Sequence, residues 1–184
     1  MSDNFLSLVV PGESSKTDVI VLADIVIDWL QGRKVIEPRP TDCVLGRNKG
    51  YPPGAACKEI IERAEDHDFP KLGANGLEVT ITREVFHTGQ NGLDSVCCPD
   101  CNLNIIESDW GSLVHEWLAD TGKDKLTCSQ CAAVYSITEY NFTPAFGFGD
   151  LGFTFWNWPP LSDVFIQDVE LLICKPLVVV HGRL

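Results

Sequence analysis

Two C-x-x-C pairs, Cys98-Pro-Asp-Cys101 and Cys128-Ser-Gln-Cys131, stand 26 residues apart in a chain of 184. No other feature restricts the fold as much. A C-x-x-C turn brings two sulfurs to one side, because the intervening amides fold back and aim their N–H groups at sulfur. Two such turns supply the four thiolates of a closed tetrahedral metal site. Pro99 presets φ in the first turn. The rival reading is a redox dithiol, but a thioredoxin-like motif uses a single C-x-x-C at the start of a helix. The pattern therefore predicts Cys98, Cys101, Cys128 and Cys131 as the ligands of one structural Zn²⁺. With four sulfurs bound, the ion has no open position for activating water, so no catalytic residue is assigned there. Cys97 is a spare thiol placed to exchange with Cys98. Cys43, Cys57 and Cys174 are scattered and read as small buried hydrophobes.

The segment resembles a zinc ribbon, whose knuckles commonly read C-P-x-C. The resemblance covers about 40 residues and implies a folding role for zinc, often in a module that contacts nucleic acid or protein. The residue after such a knuckle is often Gly, which accepts a left-handed backbone; here it is Asn102 and Ala132. Asn tolerates that conformation and Ala does so poorly. The long separation is explained by a helix between the knuckles. Trp110, Leu113, Val114, Trp117 and Leu118 recur at helical spacing, with Ser108 or Asp109 as cap. Residues 97–134 carry six acids and two bases, the wrong sign for gripping phosphates.

Outside that segment the pattern is α+β. Strands are expected at 5–10, 43–45, 77–86, 134–142, 152–156 and 177–181, the last as a buried closing strand. Helices are expected at 17–31, ended by Gly32, at 55–65 with Ala56, Ile60, Ile61 and Ala64 inward, and at 162–174 with Ser162 as cap and Leu161 as staple. The expected architecture is a small sheet with helices packed on it and an inserted Cys₄ zinc-ribbon module containing a helix. In domain terms, 1–96 and 136–184 form one α+β domain and 97–135 the insert.

Several motifs fall short of function. Residues 11–17, Pro-Gly-Glu-Ser-Ser-Lys-Thr, follow a strand and precede a helix, but Ser15 and Val10 stand where a phosphate loop has Gly. They read as a helix-capping turn. His115-Glu116 lacks the second His of a metalloprotease helix, because position 119 is Ala, and His115 belongs on a polar face. His87 or His181 with Glu84, Asp94 or Asp150 is the one enzyme-like constellation, at the sheet edge. The aromatic, Gly-rich stretch 146–158 has two readings. It is core, or it exposes Phe146, Phe148, Trp156 and Trp158 as a binding surface.

As a whole the chain resembles a family of bacterial proteins without an established activity, some automatically labelled transporter ATPases. The residues carrying this are 42–46 (Asp-Cys-Val-Leu-Gly) with 51–54, 85–89, both knuckles, 146–160 and 180–184. The resemblance implies architecture only, and the defective loop at 11–17 gives the ATPase label no footing.

The net charge is −12, which disfavours binding to nucleic-acid backbones and favours a basic protein partner. The N-terminal residues have no secretory pattern, and the most apolar window, 19–30, is broken by Asp24 and Asp28. The expectation is a non-enzymatic cytoplasmic zinc protein that makes acidic protein contacts away from membranes, one version being a bacterial immunity or inhibitor protein. The alternatives are a hydrolase-like enzyme using the His/carboxylate site and a nucleic-acid adaptor of zinc-ribbon type.

Overall fold

A computed structural model of the chain describes residues 3–12, 14–63 and 68–184. Two long central strands, β1 (Asn4–Val10) and β9 (Leu151–Trp156), hold it together. β9 is buried along its whole length. They pair antiparallel, and edge strands β10 (Val178–Arg183) and β2 (Gly76–Thr80) flank them in the order β10-β1-β9-β2. Three two-stranded antiparallel pairs complete the strands: β3 (Glu84–Phe86) with β8 (Gly147–Gly149), β4 (Ser95–Cys97) with β7 (Asn141–Thr143), and β5 (Lys125–Thr127) with β6 (Val134–Ser136). The helices are α1 (Lys16–Gly32), α2 (Trp110–Leu118) and α3 (Asp163–Ile173). The molecule is α+β, built on small open antiparallel sheets.

Both α1 and α3 cover one face of the four-stranded sheet. Val19, Ala23, Val26 and Leu30 of α1 and Phe165, Val169 and Ile173 of α3 meet Leu6, Leu8, Leu77, Phe153 and Phe155. Phe153 and Phe155 are each 1% exposed; a buried ring of this kind stabilises by about 1.5–3 kcal/mol. Ser15 caps α1 by accepting the Asp18 N–H, and Ser162 caps α3 by accepting the Phe165 N–H. Leu161, just before that cap, is buried in the same core. α1 stops at Gly32 as expected, but Gly32 is not the left-handed residue. Lys34 is, at φ 59°, with Val35 N–H bonding Leu30 C=O and Lys34 N–H bonding Gln31 C=O. That is a Schellman closure, with buried Val35 against Leu30 as its apolar clasp.

Other expectations need correction. Residues 55–63 do not form an α-helix. Cys57–Ile60 make one 3-10 turn, after which Ile61 pairs with Leu161 and Glu62 N–H bonds Pro160 C=O. Ile60 and Ile61 are both buried because the chain there is extended against 160–162. Ala64 and Glu65 lie outside the described residues. Residues 43–45 are not a strand; Cys43 instead bonds Gly50 C=O through Sγ. The expected strand 77–86 divides into β2 and β3, and 134–142 divides into β6 and β7 around a 3-10 turn (Ile137–Glu139) held by a Ser136/Glu139 capping box. β10 is an edge strand and only half-buried. Of the scattered cysteines, Cys57 is buried, but Cys43 is half-buried and Cys174 is exposed.

A second core gathers around the cysteine pairs. It contains Val85, Val96, Cys98, Trp117, Cys128, Ile137, Tyr140, Phe142 and Phe148. Strand β8 joins the two regions. It pairs with β3 and lies so close to β1 that a Cβ on Gly149 would stand 2.2 Å from Val10 O. Arg83, in the β2–β3 turn, is a second tie. Its Nε donates to Trp117 C=O at 2.8 Å, its guanidinium lies 4.2 Å from the Trp117 ring centroid, and it faces Asp120 at 3.6 Å. A cation at the last turn of α2 also complements the helix dipole.

Arg83→Ala should lower the unfolding free energy in a denaturant titration by about 2 kcal/mol, the sum expected for a charged hydrogen bond and a cation–π contact. Lys at 83 should recover little, because an ammonium lacks the planar fork that stacks and donates together.

Candidate metal centre

Each cysteine pair sits at the tip of a hairpin, and the two tips repeat one backbone pattern. In the first, Asn102 N–H bonds Cys98 C=O at 3.0 Å and Cys98 N–H bonds Leu103 C=O at 3.0 Å. In the second, Ala132 N–H bonds Cys128 C=O at 2.9 Å and Cys128 N–H bonds Ala133 C=O at 2.8 Å. Both hairpins need a left-handed residue just after the second cysteine. Asn102 has φ 57° and Ala132 has φ 60°. The conformation is therefore met at both positions, with an Ala where the geometry favours Gly.

The four sulfurs of Cys98, Cys101, Cys128 and Cys131 all lie within 4.8 Å of one another. Across the two hairpins, Cys98 and Cys131 are 3.8 Å apart and Cys101 and Cys128 are 3.5 Å apart. A tetrahedral ion with metal–sulfur bonds of about 2.3 Å places its sulfurs about 3.8 Å apart. The donor set and spacing thus fit one tetrahedral thiophilic metal ion. Cys97 remains outside the cluster.

Electrostatics point the same way. The Cys131 and Gln130 N–H groups hold the Cys128 thiol down at about 6. The Leu103 N–H also pulls on Cys101, but burial and the neighbouring thiols outweigh it and push Cys101 up to about 12. Cys131 is raised as well: burial and the Cys128 thiol outweigh the downward pull of the Ala133 N–H. Sulfurs packed this closely cannot all ionise unless a cation neutralises them.

The surroundings hold the tips in place. Cys98 and Cys128 are buried in the second core. Trp117 of α2 packs edge-on to Phe148 at 5.3 Å, and Trp110 packs edge-on to Phe142 at 5.8 Å. α2 is the helix expected between the knuckles, although Leu118 faces outward and Asp109 makes no side-chain cap bond. The Tyr135 hydroxyl donates to Asp100 at 2.8 Å, linking the second hairpin to the first knuckle. That bond, with Tyr135 burial and the Asp100 charge, pushes the phenol up to about 12. The Tyr135–Asp100 link escapes sequence reading, since neither residue belongs to a metal motif.

Among the described residues the remaining candidates form no cluster of metal-binding closeness, although residues 88–90 run beside Arg183 and Glu84 pairs with Gly149, next to Asp150. His87 is exposed and its Nδ1 accepts the Gly89 N–H; His115 and His181 are exposed. Asp150 accepts the Ser14 N–H at 2.9 Å, Glu84 faces Arg47 at 4.0 Å, and Asp94 is exposed. A groove of about 550 Å³ has Glu84 on its wall but no His. The turn at 11–17 caps α1 through Ser15 and already carries a carboxylate on its Ser14 amide; Glu13 lies outside the described residues. Phe148, Trp156 and Trp158 are buried, and Phe146 is half-buried and stacked on Phe142 at 4.8 Å. Trp156 is covered on the central strand β9, Trp158 packs into the core beneath α1 and α3, and Phe148, with Phe146 against it, belongs to the core around the cysteines. Among the described residues, no helix is long and apolar enough to cross a membrane.

Compared with family models, with curated proteins and with solved structures, the chain matches none. The wider bacterial resemblance therefore rests on the residues quoted for it, and the four-cysteine site rests on its own geometry.

Cys128→Ser should weaken metal binding about 100-fold or more in competition with a chromophoric chelator, whereas Cys97→Ser should leave it unchanged. Ala132→Gly should keep the metal and raise stability by about 1 kcal/mol, because Gly removes the left-handed penalty. A thermal melt of the metal-loaded protein measures this.

Proposed function

We propose that this chain is a non-enzymatic cytoplasmic zinc protein whose acidic surface binds a basic protein partner, the zinc serving as scaffold. The observation that carries the reading is the mutual closeness of the four sulfurs, within 4.8 Å. Such a set fills a tetrahedral ion, leaving no position for water or substrate. Zinc is the ion of choice because it has no redox chemistry and no geometric demand against this arrangement. His87 and His181 are exposed, and no His lines the groove that holds Glu84, so the enzyme reading lacks an enclosed site. The net charge of −12 and the acidic balance of residues 97–134 weigh against a nucleic-acid adaptor.

Charge also suggests the partner. Acidic proteins capture basic ones quickly because long-range attraction steers the encounter. A bacterial immunity or inhibitor protein directed at a basic toxin is the most concrete version.

The chain immobilised on beads, with host lysate passed over it, should retain a basic protein at low ionic strength and release most of it at about 0.5 M salt, where charges are screened within a few ångströms. Retention unchanged by salt would refute the electrostatic reading, and retention of DNA or RNA in a low-salt gel shift would favour the adaptor instead.

A further inference from the structure

The outer edge of β2 is paired at one residue and then left open. Leu77 exchanges both backbone hydrogen bonds with Tyr51, at 2.8 and 2.9 Å. In an antiparallel ladder, alternate residues point their N–H and C=O to the same edge. Val79 therefore presents its pair outward, where no backbone partner is found among the described residues. The chain that pairs at Tyr51 does not continue along this edge. At Gly50 it turns away to bond Thr41 at 2.7 and 2.9 Å.

What lies beside Val79 is a groove of about 550 Å³. Residues 78–80 of β2, with 81 and 82 just beyond its end, form one wall. One face of a strand would contribute only every second residue, so the three consecutive strand residues bring the backbone edge itself into this wall. The opposite wall is α1, through Ile20, Ala23, Asp24 and Ile27, spaced as one helical face. Ile20 and Ile81 expose large apolar surface at its mouth. The charge around it is unbalanced. Arg47 faces Glu84 and Lys49 faces Asp42, each at 4.0 Å. Asp24 has no cation partner among the described residues. Glu78, 6% exposed, accepts only the neutral donors Asn48 N–H and Trp156 Nε1.

We infer that this groove takes an extended segment of a partner protein, with a Lys or Arg set between apolar residues at every second position, as an added strand on β2. The segment continues the ladder that Tyr51 begins. Its backbone bonds Val79; on its α1-facing side the cationic side chain meets Asp24 and the apolar side chains two positions to either side lie against Ile20 and Ile27. A second copy of this chain is the poorer occupant, because each copy would bring an unpaired Asp24 and a net charge of −12 to the other. The inference rests on the basic-partner reading above and adds where that partner docks.

The probe is a fluorescent synthetic peptide, Val-Thr-Lys-Thr-Val, which places two valines and a lysine on one face of a strand, added to the full chain at low salt. Binding is read by polarisation, and the site by amide hydrogen exchange. The expected result is slowed exchange at the Val79 N–H, no binding by the analogue with glutamate in place of lysine, and binding weakened about ten-fold by Val79→Pro. Pro is compatible with that position because the lost N–H faces outward rather than to β9. Should that variant fail to fold, Asp24→Lys, on the exposed face of α1, should weaken binding by a similar factor. Bound peptide with unchanged Val79 exchange, or full affinity in both variants, would overturn the groove assignment while leaving the basic-partner reading intact. No binding of the peptide, or concentration-dependent protection of Val79 without it, would also overturn the assignment. The basic-partner reading fails separately, through salt-independent capture.

Discussion

Four thiol sulfurs confined within 4.8 Å of one another are a problem that the polypeptide cannot solve alone. If all are ionised they repel; if all are protonated they are poor partners for the amides aimed at them. A divalent ion resolves both difficulties, and its binding free energy becomes folding free energy. The strain of a left-handed Ala132 is tolerable on that scale. So is the clustering of charge around Cys98 and Cys128, which lie in the apolar second core.

The second core then transmits order outward. α2 lies over the hairpins through Trp110 and Trp117, and Trp117 is also what Arg83 grips from the β2–β3 turn. β8 packs flush against β1 on one side and carries Phe148 into the cysteine-centred core on the other. Sulfur cluster, aromatic layer and four-stranded sheet are thus joined by short contacts. A disturbance at the sulfurs reaches the sheet through two named links, Arg83 and β8.

Much of this was legible in the sequence, for identifiable reasons. Ligand spacing is covalent arithmetic, so the four cysteines could be chosen by position alone. α1, α2 and α3 show long apolar stripes that only a helix can bury on one side. The errors fall where local pattern and tertiary pairing compete. Ala56, Ile60 and Ile61 have helical spacing, yet the chain there is claimed by pairing with 160–162. α1 ends at Gly32 as its position suggests, but the left-handed residue of the closure is Lys34, which lets Val35 reach the core beside Leu30. The strand expected over 77–86 breaks where Arg83 turns toward α2, a contact between residues 34 positions apart that periodicity cannot register. The Phe146–Trp158 aromatics were open between core and surface until strand order put β9 in the centre of the sheet. The groove beside Val79 was equally hidden, since an unpaired edge is a property of topology.

The four-cysteine cluster and the groove have no lining residue in common. The account nevertheless stands on the metal, because a closed sulfur set is what separates a scaffold from a reactive centre. X-ray absorption at the zinc edge of protein purified without added metal tests this most directly. The account predicts a shell of four sulfurs at about 2.3 Å and nothing lighter. Oxygen or nitrogen in that shell, or protein lacking metal with its cysteines joined as disulfides, would contradict it.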